Sequence, residues 1–220
     1  MTADQDSQNT ARRPWRGVAP DERQARRREQ LVAAGFAIMG TEGAAAVTMR
    51  RVCREAKLTE RYFYESFSRR EDLLVAVLEF TAGEAREVLV SALRRAPADT
   101  ARMVRDAVGD FTAFVTDDPR RGRVLFVESL AAPELSSRGA HLVGEFTATI
   151  AAALRSPALA GDTADDRDVE LNSQAVFGAL AYLFQGWLEG RLAIDRERFV
   201  DHVVQVIEQL ARATSRRPEP

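Results

Sequence analysis

Apolar residues recur along this chain at spacings of three and four, and nowhere do they settle into a sustained apolar–polar alternation. No Asn-Gly or Asp-Gly pair marks a tight hairpin. A chain with that period can bury its apolar faces only by laying helix against helix, which predicts an all-α fold. Helices are expected from Asp21 to about Gly40, from Thr48 to Ala56, over Glu60 to Ser66, and from Ser68 towards Leu93, stopped near Pro97. Further helices are expected over Thr100–Val115, Arg120–Leu130, Ser137–Leu154, Asp168–Leu192 and Asp195–Ala213. Gly40 with Gly43 supplies the first stop. Thr48, Thr59 and Ser68 are N-cap candidates, and Glu71 stands three residues after Ser68 at the spacing of a capping box.

The organisation that follows has four parts. Residues 1–20 are expected as a flexible basic arm, 21–67 as a small head, 68–214 as a larger and more apolar body, and 215–220 as a polar tail. Ser156–Asp166, with Pro157, Gly161 and several aspartates, reads as a mobile acidic loop.

Charge separates head from body. Residues 1–75 carry 14 Arg or Lys against 11 Asp or Glu, while the remaining 145 carry 17 against 22. A basic end on an acidic body suits contact with a polyanion. Hydrophobic residues at 45% and charged residues at 29% describe an ordinary soluble globular chain. Neither a membrane span nor a signal peptide is visible, so the protein is expected to be cytoplasmic with no membrane partner. A lone cysteine, Cys53, excludes an internal disulfide, and it reads as an inert core thiol. With only His141 and His202 besides, no metal site and no cofactor is expected.

Three short helices, the second and third joined by a tight turn, make a helix-turn-helix pattern. Val47, Val52, Leu58, Phe63 and Phe67 are placed to form its small core. Arg50, Arg51, Arg54, Arg61, Tyr62 and Tyr64 remain for the outside.

The stretch Val47-Thr48-Met49-Arg50-Arg51-Val52-Cys53-Arg54-Glu55-Ala56-Lys57-Leu58-Thr59-Glu60-Arg61-Tyr62-Phe63-Tyr64-Glu65-Ser66-Phe67, continued by Ser68-Arg69-Arg70-Glu71-Asp72-Leu73, closely resembles the TetR family of transcriptional regulators. The resemblance is specific over roughly Arg26 to Val77. It implies a helix-turn-helix domain on a helical ligand-binding and dimerisation domain, and no enzymatic activity. By position it implies that Thr48 caps the second helix and touches phosphate, and that Tyr64 and Arg70 hold the DNA backbone. Thr59, Glu60, Arg61 and Tyr62 would then face the major groove, with Arg50 and Lys57 near the phosphates. Lys57 stands where the family usually has glycine, in a turn that favours positive φ, so it is expected to carry about a kcal/mol of strain.

For the body, the resemblance implies double-stranded palindromic DNA, a second copy of the chain and a small hydrophobic effector as partners. A stripe of Phe199, Val203, Val206, Ile207 and Leu210, with Phe177, Leu180, Phe184 and Trp187 on the preceding helix, has a monomer-core reading, whereas the resemblance implies a two-fold four-helix dimer interface, two helices from each chain. Phe80, Met103, Phe111, Phe114, Phe126 and Phe146, with Glu128, His141 and Gln185 as polar groups, are the candidates for an effector pocket. Two rivals to an effector-released repressor are a ligand-independent regulator and, more remotely, an enzyme or helical adaptor. No Gly-rich phosphate loop, Gly-x-Ser-x-Gly or His-Glu-x-x-His motif speaks for the enzyme.

Overall fold

A computed structural model describes residues 20–95, 99–155 and 165–214. Most of the basic arm, the Pro97 stop, the 156–164 part of the acidic loop and the tail lie outside the described residues.

The first helix, α1 (Pro20–Glu42), ends at Gly43, whose φ of 95° is open to glycine and strained for other residues. A 3-10 turn (Ala44–Ala46) follows, and then α2 (Met49–Ala56), α3 (Glu60–Ser66) and the long α4 (Arg70–Arg94). The body adds α5 (Thr100–Asp117), α6 (Pro119–Arg123), a π-helical segment (Val124–Glu128), α7 (Ser129–Ala131) and a 3-10 turn (Pro133–Leu135). It closes with α8 (Ser136–Leu154), α9 (Asp166–Leu188) and α10 (Arg196–Thr214). The described residues contain no strand.

Local chemistry explains where the boundaries differ from expectation. The cap of α4 is Arg69 and not Ser68, because Asp72 accepts from the Arg69 amide at 3.0 Å. Glu71 is drawn away to Arg70, 3.5 Å distant. The helix expected over Arg120–Leu130 is broken in the middle by the π segment. Four residues earlier than expected, α9 stops at Leu188, since Gly190 takes a φ of 74° and the Arg191 and Leu192 amides both turn back to the Gly186 carbonyl.

One hydrophobic cluster joins Leu31, Met39, Val47, Val52 and Phe63 of the head to Leu73, Leu74 and Val77 of α4. A boundary drawn at residue 68 therefore cuts through a single core. The crossing of α1 over α6 is very close at Gly40, where an added Cβ would come within 2.4 Å of the Arg120 Cβ. In the body, α4, α5, α8, α9 and α10 surround a second cluster built on Phe126, Phe184 and Phe199.

That second cluster corrects the reading of the carboxy-terminal stripe as an interface. Phe184, Phe199 and Val203 are each 1% exposed within the single chain. Trp187 stacks on Phe199 with centroids 4.3 Å apart and donates to the Ile194 carbonyl at 2.9 Å. Phe177 and Leu180 face an internal cavity, and Val206 and Leu210 are half-buried. The outward apolar stripe of α9 is a different one, Leu171–Ala175–Gly178–Tyr182, with Leu171 67% and Tyr182 68% exposed.

Candidate nucleic-acid interface and internal cavity

In the head, α2 begins at Thr48, whose hydroxyl accepts from the Arg51 amide at 3.4 Å. The helix ends at Lys57, with φ 55° and ψ 38°, the left-handed geometry expected of a glycine position. Here it is occupied by a residue with a Cβ. Only seven residues long, α3 is too short to persist alone. Phe63 and Phe67, both buried, hold it to α1 and α2 with ring centroids 5.8 Å apart.

That anchoring leaves Thr59, Glu60, Arg61 and Tyr64 exposed on one side of the head. Thr59 occupies the N-cap position of α3 without its hydroxyl closing on the helix. Arg50 approaches Glu60 at 3.7 Å, and Arg61 donates to Glu65 at 3.0 Å, so both acids already have cationic company. Tyr62 is half-buried and lies under the Arg27 guanidinium, 4.4 Å from its ring centre. Arg27 also reaches Glu65 at 3.3 Å, and Gln24 donates to the Glu65 carbonyl at 3.1 Å. The first turns of α1 thus fix α3 from behind. Arg27 went unnoticed as a positioning residue because only the fold brings it to α3.

Arg51 is not a free surface cation either. It pairs with Glu42, and that hydrogen bond holds the Glu42 carboxyl below the usual carboxylate range. The Cys53 thiol is pushed up by burial, with Glu60 adding to the effect, as suits an unreactive core thiol.

Arg70 has a different task from the expected phosphate contact. Its guanidinium donates to the Val47 and Ala44 carbonyls, both at 2.6 Å, and to Glu134 at 3.1 Å. It clamps the loop before α2 onto the start of α4.

The body encloses a cavity of about 450 Å³. Of the expected pocket residues, Met103, Phe111, Phe126 and Phe146 line it. Four others do not. Phe80 stands between the wall residues Leu78 and Ala82 in sequence, hence on the opposite face of α4, and is 50% exposed. Phe114 packs under the Arg121 guanidinium at 4.4 Å. Glu128 turns away to accept from the Ala44 amide at 2.8 Å and from Arg123 at 3.0 Å. Gln185 points along α9 to Glu189, 3.3 Å away. His141 is exposed beside Glu145. The described wall carries no charged side chain, and its side-chain hydroxyls are those of Ser129, Ser136 and Thr149. Wall residues such as Leu125, Val143 and Ala181 were missed because their types are ordinary for any core.

Among the described residues, no cluster of His, Cys, Asp or Glu is arranged to hold a metal ion. No described helix is long and apolar enough to cross a membrane.

Residues 31–77 match the model of the family described as bacterial regulatory proteins, tetR family. Over 70 residues the chain is 33% identical to the HTH-type transcriptional regulator BetI of Rhizobium meliloti (strain 1021). That match spans 32% of this chain and 34% of BetI, about a third of the relative's length. The fatty acid degradation regulator FadR from Bacillus halodurans superimposes with a TM-score of 0.70 at 17% identity, covering 87% of this chain and 96% of that one. FadR from Bacillus subtilis, solved in complex with stearoyl-CoA, gives 0.69 at 16% identity, covering 86% and 99%. The head thus carries the signature of the tetR family of bacterial regulatory proteins, on a fold shared over most of the chain's length with solved regulators.

Proposed function

We propose that the protein is a homodimeric transcriptional repressor that reads a palindromic DNA operator and is released by an uncharged, apolar small molecule. The observation that carries the DNA half is the recognition helix. Phe63 and Phe67 face inward, while Thr59, Glu60, Arg61 and Tyr64 are presented together on the outside. Arg61 suits a guanine edge and Glu60 suits a cytosine amino group, while Thr48, Tyr64, Arg50 and Lys57 border that surface as backbone contacts. The effector half is supported by the cavity, whose volume falls within the usual range of about 300–1,000 Å³ for ligand sites. A wall without charge would strip a charged ligand of water with no compensation. The stearoyl-CoA bound by FadR from Bacillus subtilis supports an apolar chain as the occupant of such a body.

The dimer is assigned to the outward stripe of α9, through Leu171, Ala175, Gly178 and Tyr182, with the half-buried Val206 and Leu210 of α10 beside it. A small central residue lets the helices approach closely, and a two-fold axis matches two half-sites about 34–36 Å, or a multiple, apart.

A gel-shift assay with genomic fragments, including DNA upstream of its own gene, tests the reading. Specific retardation is expected, weakening on the order of a thousandfold between 50 and 200 mM salt if some six phosphates are contacted. Absence of any specific fragment would remove the DNA-binding reading. Sedimentation of Leu171→Glu/Tyr182→Glu should show a monomer where the parent is a dimer. A parent that is already monomeric overturns the dimer.

A further inference from the structure

Among the contacts of body with head is a grip on one short turn, and the gripping segment is also a wall of the cavity. Residues 41–47 connect α1 to the cap of α2, and their backbone groups are held by side chains from outside the turn. Arg123 donates to the Thr41 carbonyl at 2.8 Å, and Glu128 accepts from the Ala44 amide at 2.8 Å. Arg123 and Glu128 also bond each other, at 3.0 Å. Gly43 lies directly beneath the pair, since an added Cβ would meet Arg123 Nη2 and Glu128 Oε1, each at 3.1 Å. Glu128 is 8% exposed, so both of its oxygens are committed in a dry setting where losing a partner is costly.

The π-helical segment starts directly after Arg123 and ends on Glu128. The Ser129 amide donates to the Val124 carbonyl five residues back, and the Ser129 hydroxyl donates to the Leu125 carbonyl. Val124 belongs to the core shared with the head, whereas Leu125, Phe126 and Ser129 line the cavity. A single π turn holds one residue more than an α turn. Relaxation to α geometry would rotate everything after it by about 100° and carry Glu128 away from Ala44.

We propose that Glu128, paired with Arg123, is the positioning residue that carries cavity occupancy to the DNA-reading head, with the π segment as the moving part. An occupant pressing on Phe126 or Ser129 shifts the π turn, loosens the 41–47 turn and releases the cap of α2. The proposal rests on the effector reading above, but its physical link can be tested without a natural effector or DNA.

Hydrogen exchange at the Ala44 amide reads that link directly. In the full chain the cavity is filled in two ways: with 1-dodecanol as a neutral apolar probe, and by Val143→Trp, which adds an indole to the wall. Thermal shift reports separately whether dodecanol binds. Either occupant should speed Ala44 exchange tenfold or more. In Glu128→Gln, one carbonyl oxygen replaces two acceptors and cannot serve both Ala44 and Arg123. Exchange should then be fast in the empty protein and gain nothing on filling. Arg123→Gln, at a partly exposed position, should behave alike and carries the test if Glu128→Gln does not fold. Ala44 exchange unchanged by Val143→Trp, or a full response retained in the foldable variant, overturns the proposal. If dodecanol fails to bind, the effector reading is what suffers, and the Val143→Trp arm still decides the link.

Discussion

The head and the body solve the same packing problem differently. In the head, the apolar side chains of α1–α3 and the start of α4 close on one another, with Leu31, Met39, Val47, Val52, Leu73 and Val77 wholly buried. In the body, larger helices with more phenylalanine leave about 450 Å³ unfilled. The head's readable features are therefore on its surface, above a closed core. Those of the body are internal, around a space that can be filled. A filled core transmits displacement and a hollow one can receive it, which suits the effector-released regulator proposed above.

The contrast can be broken most forcefully at Phe63. Phe63→Ala should cost about 3–5 kcal/mol in chemical denaturation, because Phe63, with Phe67 beside it, anchors the short α3. Phe111→Ala, on the cavity wall, should cost visibly less, since that ring already faces space on one side. Equal losses would mean that the body is as tightly filled as the head.

Adding volume should separate the two regions in sign. Ala34→Leu, in the closed head core, should destabilise by about 1–3 kcal/mol. Ala181→Leu, facing the cavity, should raise stability by about 0.5–2 kcal/mol. If both lower the melting temperature alike, the cavity is not an available space.

A smaller effect is expected at the left-handed turn of the head. Lys57→Gly should relieve the backbone at φ 55° and stabilise by about 1 kcal/mol. A neutral or negative change would show that the lysine stem makes up the strain through its own packing. Smallest in stability is Tyr64→Ala, at a side chain 61% exposed, which should move denaturation by less than about 0.5 kcal/mol. Its operator affinity should nonetheless fall about tenfold, across all sequences bound, as suits a backbone contact. A Tyr64→Ala protein that binds like the parent would remove this residue from the interface.

What the sequence determined by itself was local. Thr48 and Thr59 occupy the cap positions expected of them, α2 and α3 have the expected bounds, and Lys57 has the expected positive φ. These features depend on side chains within a few residues of the backbone they satisfy. Periodicity likewise marked Phe199 and Val203 as buried, but burial does not say against what. The tertiary structure put them inside the monomer and left the shorter stripe through Leu171 and Tyr182 uncovered. Arg70 and Glu128 were legible as charged residues near the right places, yet their partners, Val47, Ala44 and Glu134 in one case and Ala44 and Arg123 in the other, lie mostly on other elements. The cavity is the clearest case of all. Phe126 lines it and Phe114 does not, although both are phenylalanines of apolar helices. A void is a difference between the space that helices enclose and the volume their side chains fill. No residue carries that difference by itself, so only the assembled fold could decide where it lies.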